Sequence, residues 1–204
     1  MSYCLYLHGF LSSGESYKGR WFTEKNLSTT NSPLGKIICP TYSQKDLLAG
    51  IAPIEALLQR WQETGHQVLL MGSSLGGYLA QYYGNRFNLP YIMINPALNP
   101  CDLFEDYLGE HTNPYTGETL VLRAEYQSVL AKLEVAAPNP EIHSLLLADS
   151  ADEIADIPFA VNKYQNLLHA QTIIYPGGNH AFIHLEEAWP EIVAFAKSLK
   201  RQAD

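Results

Sequence analysis

Val68-Leu69-Leu70-Met71-Gly72-Ser73-Ser74-Leu75-Gly76-Gly77-Tyr78 decides the fold. A continuous apolar run leads into a G-x-S-x-G pentapeptide, and Leu75, Leu79, Tyr82 and Tyr83 then recur at helical spacing. The pattern reads as buried strand, tight turn and amphipathic helix, the setting of a nucleophile elbow. Glycines at 72 and 76 let the chain turn sharply without a Cβ clash, which leaves the Ser74 hydroxyl at the tip. The helix amino terminus beneath it favours developing negative charge. Ser73, one residue early, reads as structural.

Outward from the elbow, five more apolar runs recur at Tyr3–Leu7, Ile37–Cys39, Tyr91–Ile94, Leu145–Ala148 and Thr172–Tyr175. Like the run before the elbow, each is nearly continuous, as strands buried on both faces of a parallel sheet are. Helical stripes lie between them: Ile54, Leu57, Leu58 and Trp61 after Pro53; Val161, Tyr164 and Leu168; and Leu185, Trp189, Ile192 and Leu199. Pro190 must sit in the first turn of that last helix or kink it. The alternation predicts one α/β domain over 1–204, a mostly parallel sheet of about six strands with helices on both faces. Residues 98–142 are too long for a simple crossover and predict a cap. They contain turn chemistry at Asn113-Pro114-Tyr115-Thr116-Gly117 and a helix near Leu122–Leu133.

Composition narrows the function. The 204 residues are 47% hydrophobic, enough for a core and too much for disorder. Thirteen Lys and Arg against 21 Asp and Glu give −8, with no basic stripe for nucleic acid or an anionic membrane. Eight of those acids lie in 98–142, against Arg123 and Lys132 alone. No apolar run approaches the ~20 residues of a spanning helix, so no membrane insertion is expected. Met1-Ser2 enters the first strand without a basic leader, and Cys4, Cys39 and Cys101 lack the pairing or spacing of a disulfide framework or zinc site. A cytoplasmic protein without a cofactor is expected. The terminal 200–204 reads as a frayed, solvated end.

A hydrolytic nucleophile needs a base, an acid and an oxyanion hole. His180, in Gly177-Gly178-Asn179-His180 after the last strand, is the favoured base because its glycine-rich loop can carry an imidazole over the elbow. His8, ahead of the nucleophile, reads as structural; His66, His111, His143 and His169 read as solvated or capping. His180 and His184 have the spacing of a helical zinc pair, but Ala181 stands where a metalloprotease needs Glu, and no third ligand is evident. Asp149, Asp152 and Glu153 all follow the fifth strand; the reach needed from a strand end favours Asp152 over Asp149. The Phe10 amide of His8-Gly9-Phe10 and the Leu75 amide are the oxyanion donors. Ser12, Tyr17, Tyr107 and Tyr115 are the candidate pocket residues.

The order of these elements resembles the α/β-hydrolase superfamily, shortened at its amino end. More closely, Leu5-Tyr6-Leu7-His8-Gly9-Phe10 with Ser12-Ser13, Gly72-Ser73-Ser74-Leu75-Gly76-Gly77-Tyr78, Asn95-Pro96-Ala97, Asp106-Tyr107-Leu108-Gly109, Asn113–Gly117, Asp152-Glu153 and Gly177–Phe182 resemble the small bacterial esterases of the YqiA/YcfP type. The resemblance spans nearly the whole chain and implies carboxylesterase activity with Ser74, Asp152 and His180 as triad. The acid loop departs from it by one extra residue across 148–151. The leading expectation is therefore a serine esterase acting on a small acyl ester. An acyl-CoA thioesterase with the same triad is the alternative, and a noncatalytic hydrolase-fold binding protein stands third.

Overall fold

Each apolar run becomes a strand. In a computed structural model that describes residues 1–201, the strands are β1 (Tyr3–Leu7), β2 (Lys36–Ile38), β3 (Val68–Ser73), β4 (Tyr91–Ile94), β5 (Gly109–Thr112), β6 (Thr119–Leu122), β7 (Ser144–Asp149) and β8 (Ala170–Tyr175). The 202–204 part of the expected frayed end lies outside the described residues. Six strands form one sheet in the order β2-β1-β3-β4-β7-β8, every pairing parallel. The inner strands are buried on both faces, which is why they read as unbroken apolar runs. β8 departs from that expectation: it closes one edge and is only half-buried.

Helices α1 (Tyr17–Ser28), α2 (Leu47–Glu63), α3 (Leu75–Phe87), α4 (Pro100–Leu103), α5 (Glu125–Ala131), α6 (Ile157–Tyr164) and α7 (Leu185–Arg201) complete the chain. Strand side chains alternate between two cores. Leu5, Leu7 and Leu70 pack with Ile54 and Leu58 of α2, Leu79 and Tyr83 of α3 and Tyr164 of α6. Cys4, Tyr6, Leu69 and Met71 pack on the other face with Phe22 of α1 and with Trp189, Ile192 and Phe195 of α7. Helices therefore cover both faces of an α/β sheet, as expected.

Several local expectations are corrected. α2 begins at Leu47, not after Pro53, because the Asp46 side chain accepts the Ala49 amide and caps it; Pro53 lies inside. Pro190 falls in the second turn of α7 rather than the first. α6 ends at Tyr164, so Leu168 is not part of its stripe and is 75% exposed. The helix expected over 122–133 is shorter, Glu125–Ala131, and Leu122 belongs to β6. β5 and β6 form an antiparallel hairpin that no periodicity announced, since β5 (Gly109-Glu110-His111-Thr112) buries no residue. The Asn113–Gly117 turn closes it: the Asn113 side chain accepts the Tyr115 and Thr116 amides, and Gly117 takes φ +73°. Cys4, Cys39 and Cys101 are unpaired thiols. Among the described residues no helix is long and apolar enough to cross a membrane.

Candidate active site

His8, Ser74, Asn95, Asp152 and His180 all lie just past the carboxyl ends of β1, β3, β4, β7 and β8, the edge where open α/β sheets hold their ligands. Ser74 leaves β3 with φ 57° and ψ −122°, a conformation costly for a residue bearing a side chain. Close packing enforces it. A Cβ on Gly72 would lie 2.0 Å from the Gly76 carbonyl oxygen, and one on Gly76 would lie 2.0 Å from that of Leu7. The Ser74 amide donates to Ile94 O at 3.0 Å, and its carbonyl accepts from the amides of Gly77, Tyr78 and Ala97. Main chain on every side thus fixes the strained turn.

The imidazole arrives from the far end of the chain. His180 Nε2 lies 2.8 Å from Ser74 Oγ, and Nδ1 lies 2.9 Å from both Asp152 oxygens. An ionised carboxylate only accepts, so Nδ1 carries the proton and Nε2 is left to accept from the Ser74 hydroxyl. The Asp152 side chain is fully shielded and also accepts the Ile154 and Ala155 amides at 2.9 and 2.8 Å. Burial by itself would raise its pKa. The hydrogen bonds from His180 and those two amides outweigh burial and hold the carboxyl below its ordinary range.

Asp149, the rival acid, does not touch His180. It is buried and binds His184 Nδ1 at 2.6 Å and the amides of Asn179 and Ile183 at 3.1 and 3.0 Å. Asn95 completes the clamp: its Oδ1 accepts the Asp149 amide and its Nδ2 donates to Asn179 O, both at 2.8 Å. Gly178 is required here, for a Cβ would lie 2.0 Å from Asp149 Oδ2. Glu153 accepts the His180 amide at 3.0 Å. The loop that carries His180 is thereby gripped before and after the imidazole. His180 and His184 precede α7 and hold different carboxylates, which disposes of the helical zinc pair.

On the opposite side of Ser74 runs His8-Gly9-Phe10-Leu11. A Cβ on Gly9 would be 3.3 Å from Ser74 Cβ, so this segment lies directly against the serine. Among the described residues neither the Phe10 nor the Leu75 amide is engaged within the chain. Gln44, 1% exposed, bridges Phe10: its Nε2 donates to Gly9 O at 2.9 Å and its Oε1 accepts the Leu11 amide at 2.8 Å. His8 is structural, as expected. Its Nδ1 donates to Gly9 O, its Nε2 accepts the Tyr42 amide, and the Tyr42 hydroxyl donates to its carbonyl. Burial pushes its pKa down to about 4. The 98–142 segment fastens the same region. Glu118 accepts from Ser43 Oγ at 2.5 Å and from the Gln44 amide, Tyr126 donates to Gln44 O at 3.0 Å, and Asn113 donates to Ser12 O at 2.8 Å.

Two recesses meet at Ser74 and His180. A cavity of about 250 Å³ is walled by Phe10, Leu75, Leu103, Phe104, Tyr107 and Leu122 among others. A wider groove of about 730 Å³ runs past Ser12, Tyr17, Lys18, Tyr115, Glu153 and Glu186. Of the predicted pocket residues, Tyr107 thus faces the cavity, and Ser12, Tyr17 and Tyr115 face the groove. Lys18 donates to Ala181 O at 2.7 Å, and burial pulls its pKa down to about 8 despite Asp149 and Asp152 nearby. His111 is not a capping residue: it stands within β5, its Nε2 is 2.6 Å from Tyr107 O, and its ring meets Phe10 edge-on. Gln44 gave no sequence signal, being one polar residue in a polar loop. Asn95 stands in its motif without a role attached, and Glu153 stands there only as a candidate acid.

Solved structures share this architecture. A ferulic acid complex of Est1E from Butyrivibrio proteoclasticus is 17% identical, with 100% of this chain and 90% of that chain covered at a TM-score of 0.73. A monoacylglycerol lipase from Paleococcus ferrophilus is 16% identical, covering 96% and 94% at 0.71. Mouse alpha/beta hydrolase domain-containing protein 10 is 16% identical, covering 98% and 90% at 0.69. At such identity the likeness establishes the α/β-hydrolase fold. The family model described as "Uncharacterised protein family (UPF0227)" matches residues 3–197, and the chain, with the motifs of the YqiA/YcfP type, belongs to that family.

Proposed function

We propose that the protein is a serine carboxylesterase with Ser74 as nucleophile, His180 as base and Asp152 as acid. The observation that carries this reading is the unbroken chain Ser74 Oγ to His180 Nε2 at 2.8 Å and His180 Nδ1 to Asp152 at 2.9 Å, on a strained turn. Ser74 Oγ attacks the ester carbonyl carbon while its proton passes to His180 Nε2. The Phe10 and Leu75 amides receive the oxyanion. As the intermediate collapses, the C–O bond to the alcohol breaks and His180 returns the proton to the departing oxygen. Water, deprotonated by the same nitrogen, then adds to the acyl-enzyme; carboxylic acid leaves and Ser74 recovers its proton. Asp152 holds the Nδ1–H tautomer and stabilises the imidazolium formed in each half. Esterases and lipases among the fold neighbours favour the same chemistry. In this reading the chain is one hydrolase domain, and residues 98–142 are its cap.

A fluorophosphonate probe with an ester substrate tests the assignment. Wild-type protein is expected to be labelled at Ser74 and to turn over p-nitrophenyl butyrate. Ser74→Ala is expected to lose labelling and roughly 10⁶-fold in kcat. Full turnover by Ser74→Ala would end the proposal, and so would failure of folded wild-type protein to label or turn over, which favours a noncatalytic binding protein.

A further inference from the structure

We infer that the apolar cavity beside Ser74 takes a straight aliphatic acyl chain and the wider, more polar groove takes the leaving alcohol, which makes medium-chain fatty acyl esters the substrate class. The inference rests on the esterase reading above. Both recesses share Phe10, Leu11, Ser74, Ile154 and His180, so they open from one point in different directions. Besides the oxyanion, a carbonyl carbon bonded to Ser74 Oγ carries two groups, the acyl chain and the alkoxy oxygen. Each recess receives one.

Chemistry decides which. The side chains of the cavity wall are hydrocarbon, apart from Ser74 and His180 at its mouth and the hydroxyls of Tyr107 and Tyr126. The Tyr126 hydroxyl already donates to Gln44 O. A polar substituent entering there would give up water for little in return, whereas a hydrocarbon gains by leaving water. The groove is mixed: Ser12, Lys18, Glu153 and Glu186 stand among Tyr17, Trp21 and Ile183, which suits an alcohol that keeps part of its hydration while His180 protonates it. Lys18 is bound to Ala181 O and Lys25 to Glu186, so among the described residues neither ammonium is free to meet a polyanionic leaving group such as coenzyme A. The roughly 250 Å³ of the cavity, at the ~30 Å³ that a water-sized group fills, accommodates about eight carbons. Half of the wall comes from the 98–142 segment, Leu103 and Leu122 included, so that segment sets chain length.

Kinetics of p-nitrophenyl esters from acetate to myristate test this in the intact protein. The expected kcat/KM rises roughly fourfold per added methylene until the cavity is full near octanoate, then levels or falls. Leu103→Trp, at a half-buried wall position, is expected to move the optimum to shorter chains. Leu122→Ala is expected to move it to longer chains. A flat series, an optimum unmoved by both variants, or faster turnover of hydroxycinnamate than of octanoate esters overturns the inference. If Ser74 still labels in those cases, the esterase reading survives. Loss of labelling and of all ester turnover would remove both.

Discussion

Gln44→Ala tests how the Phe10 amide is held. The carboxamide makes two hydrogen bonds, one on each side of Phe10, at 2.9 and 2.8 Å. At 1% exposure, water does not readily take its place. Truncation strands the Leu11 amide, at about 1–3 kcal/mol if no new partner forms, and leaves the Gly9 carbonyl with His8 Nδ1 as its remaining donor. Leu11 also sits at φ 50°, so the released segment has a strained residue to relax. Complete loss of one oxyanion donor costs about 10²–10³ in kcat, which sets the ceiling. Phe10 remains covalently near its place, so the expected fall is roughly 10- to 100-fold, with KM nearly unchanged because the donor acts on the transition state. Steady-state kinetics on p-nitrophenyl butyrate, with a thermal melt on the same sample, supply both numbers. A folded variant of lowered stability that keeps wild-type kcat would refute the reasoning. So would a rise in KM of about tenfold at constant kcat, which would place Gln44 in ground-state binding.

The two acids separate by magnitude. Asp152→Asn is expected to lower kcat about 10⁴-fold by upsetting the imidazole tautomer, while Asp149→Asn mainly lowers the melting temperature, because its amide nitrogen cannot accept from His184 and two amides at once; the reverse order in kcat would exchange their roles. His8 supplies a pH test: its folded pKa of about 4 lies below the ordinary 6.5, so between those values the unfolded chain binds a proton that the fold refuses. Stability should therefore be fully present above pH 6.5 and be lost by about 3 kcal/mol as pH falls toward 4. Denaturant melts across that range should show a slope that His8→Gln flattens, and an unchanged slope in the variant refutes the assignment.

The sheet was legible because inner strands such as β3 and β7 are buried on both faces and leave uninterrupted apolar runs. The elbow was legible because only glycine tolerates the approach of the Gly76 and Leu7 carbonyls. What escaped is held by polar contacts between distant parts of the chain, which leave no period. Glu118 read only as one of eight acids in 98–142, yet its carboxylate secures Ser43 and Gln44 across 75 and 74 residues. The β5–β6 hairpin escaped for a related reason: only Leu120 and Leu122 of β6 turn inward, and β5 offers no apolar face.

The contest between Asp149 and Asp152 shows how reach sorts residues of one type. Asp149 is the last residue of β7, in register with Tyr175 of β8, and a strand-end side chain goes where the pleat directs it. There it meets His184, whose ring stacks on Tyr175 at 5.1 Å. Asp152 lies one turn later; its amide donates back to Asp149 O at 3.2 Å, and the neighbouring Ala151 amide donates to Gly177 O at 2.9 Å. That turn stitches the acid loop to the histidine loop and lifts the second carboxylate over the sheet edge, under the imidazole. The three-residue step from Asp149 to Asp152 therefore leaves the outer acid on His180, while the inner acid fixes the backbone that carries it. Both histidine–carboxylate pairs serve one imidazole, one through its ring and the other through the peptide on either side.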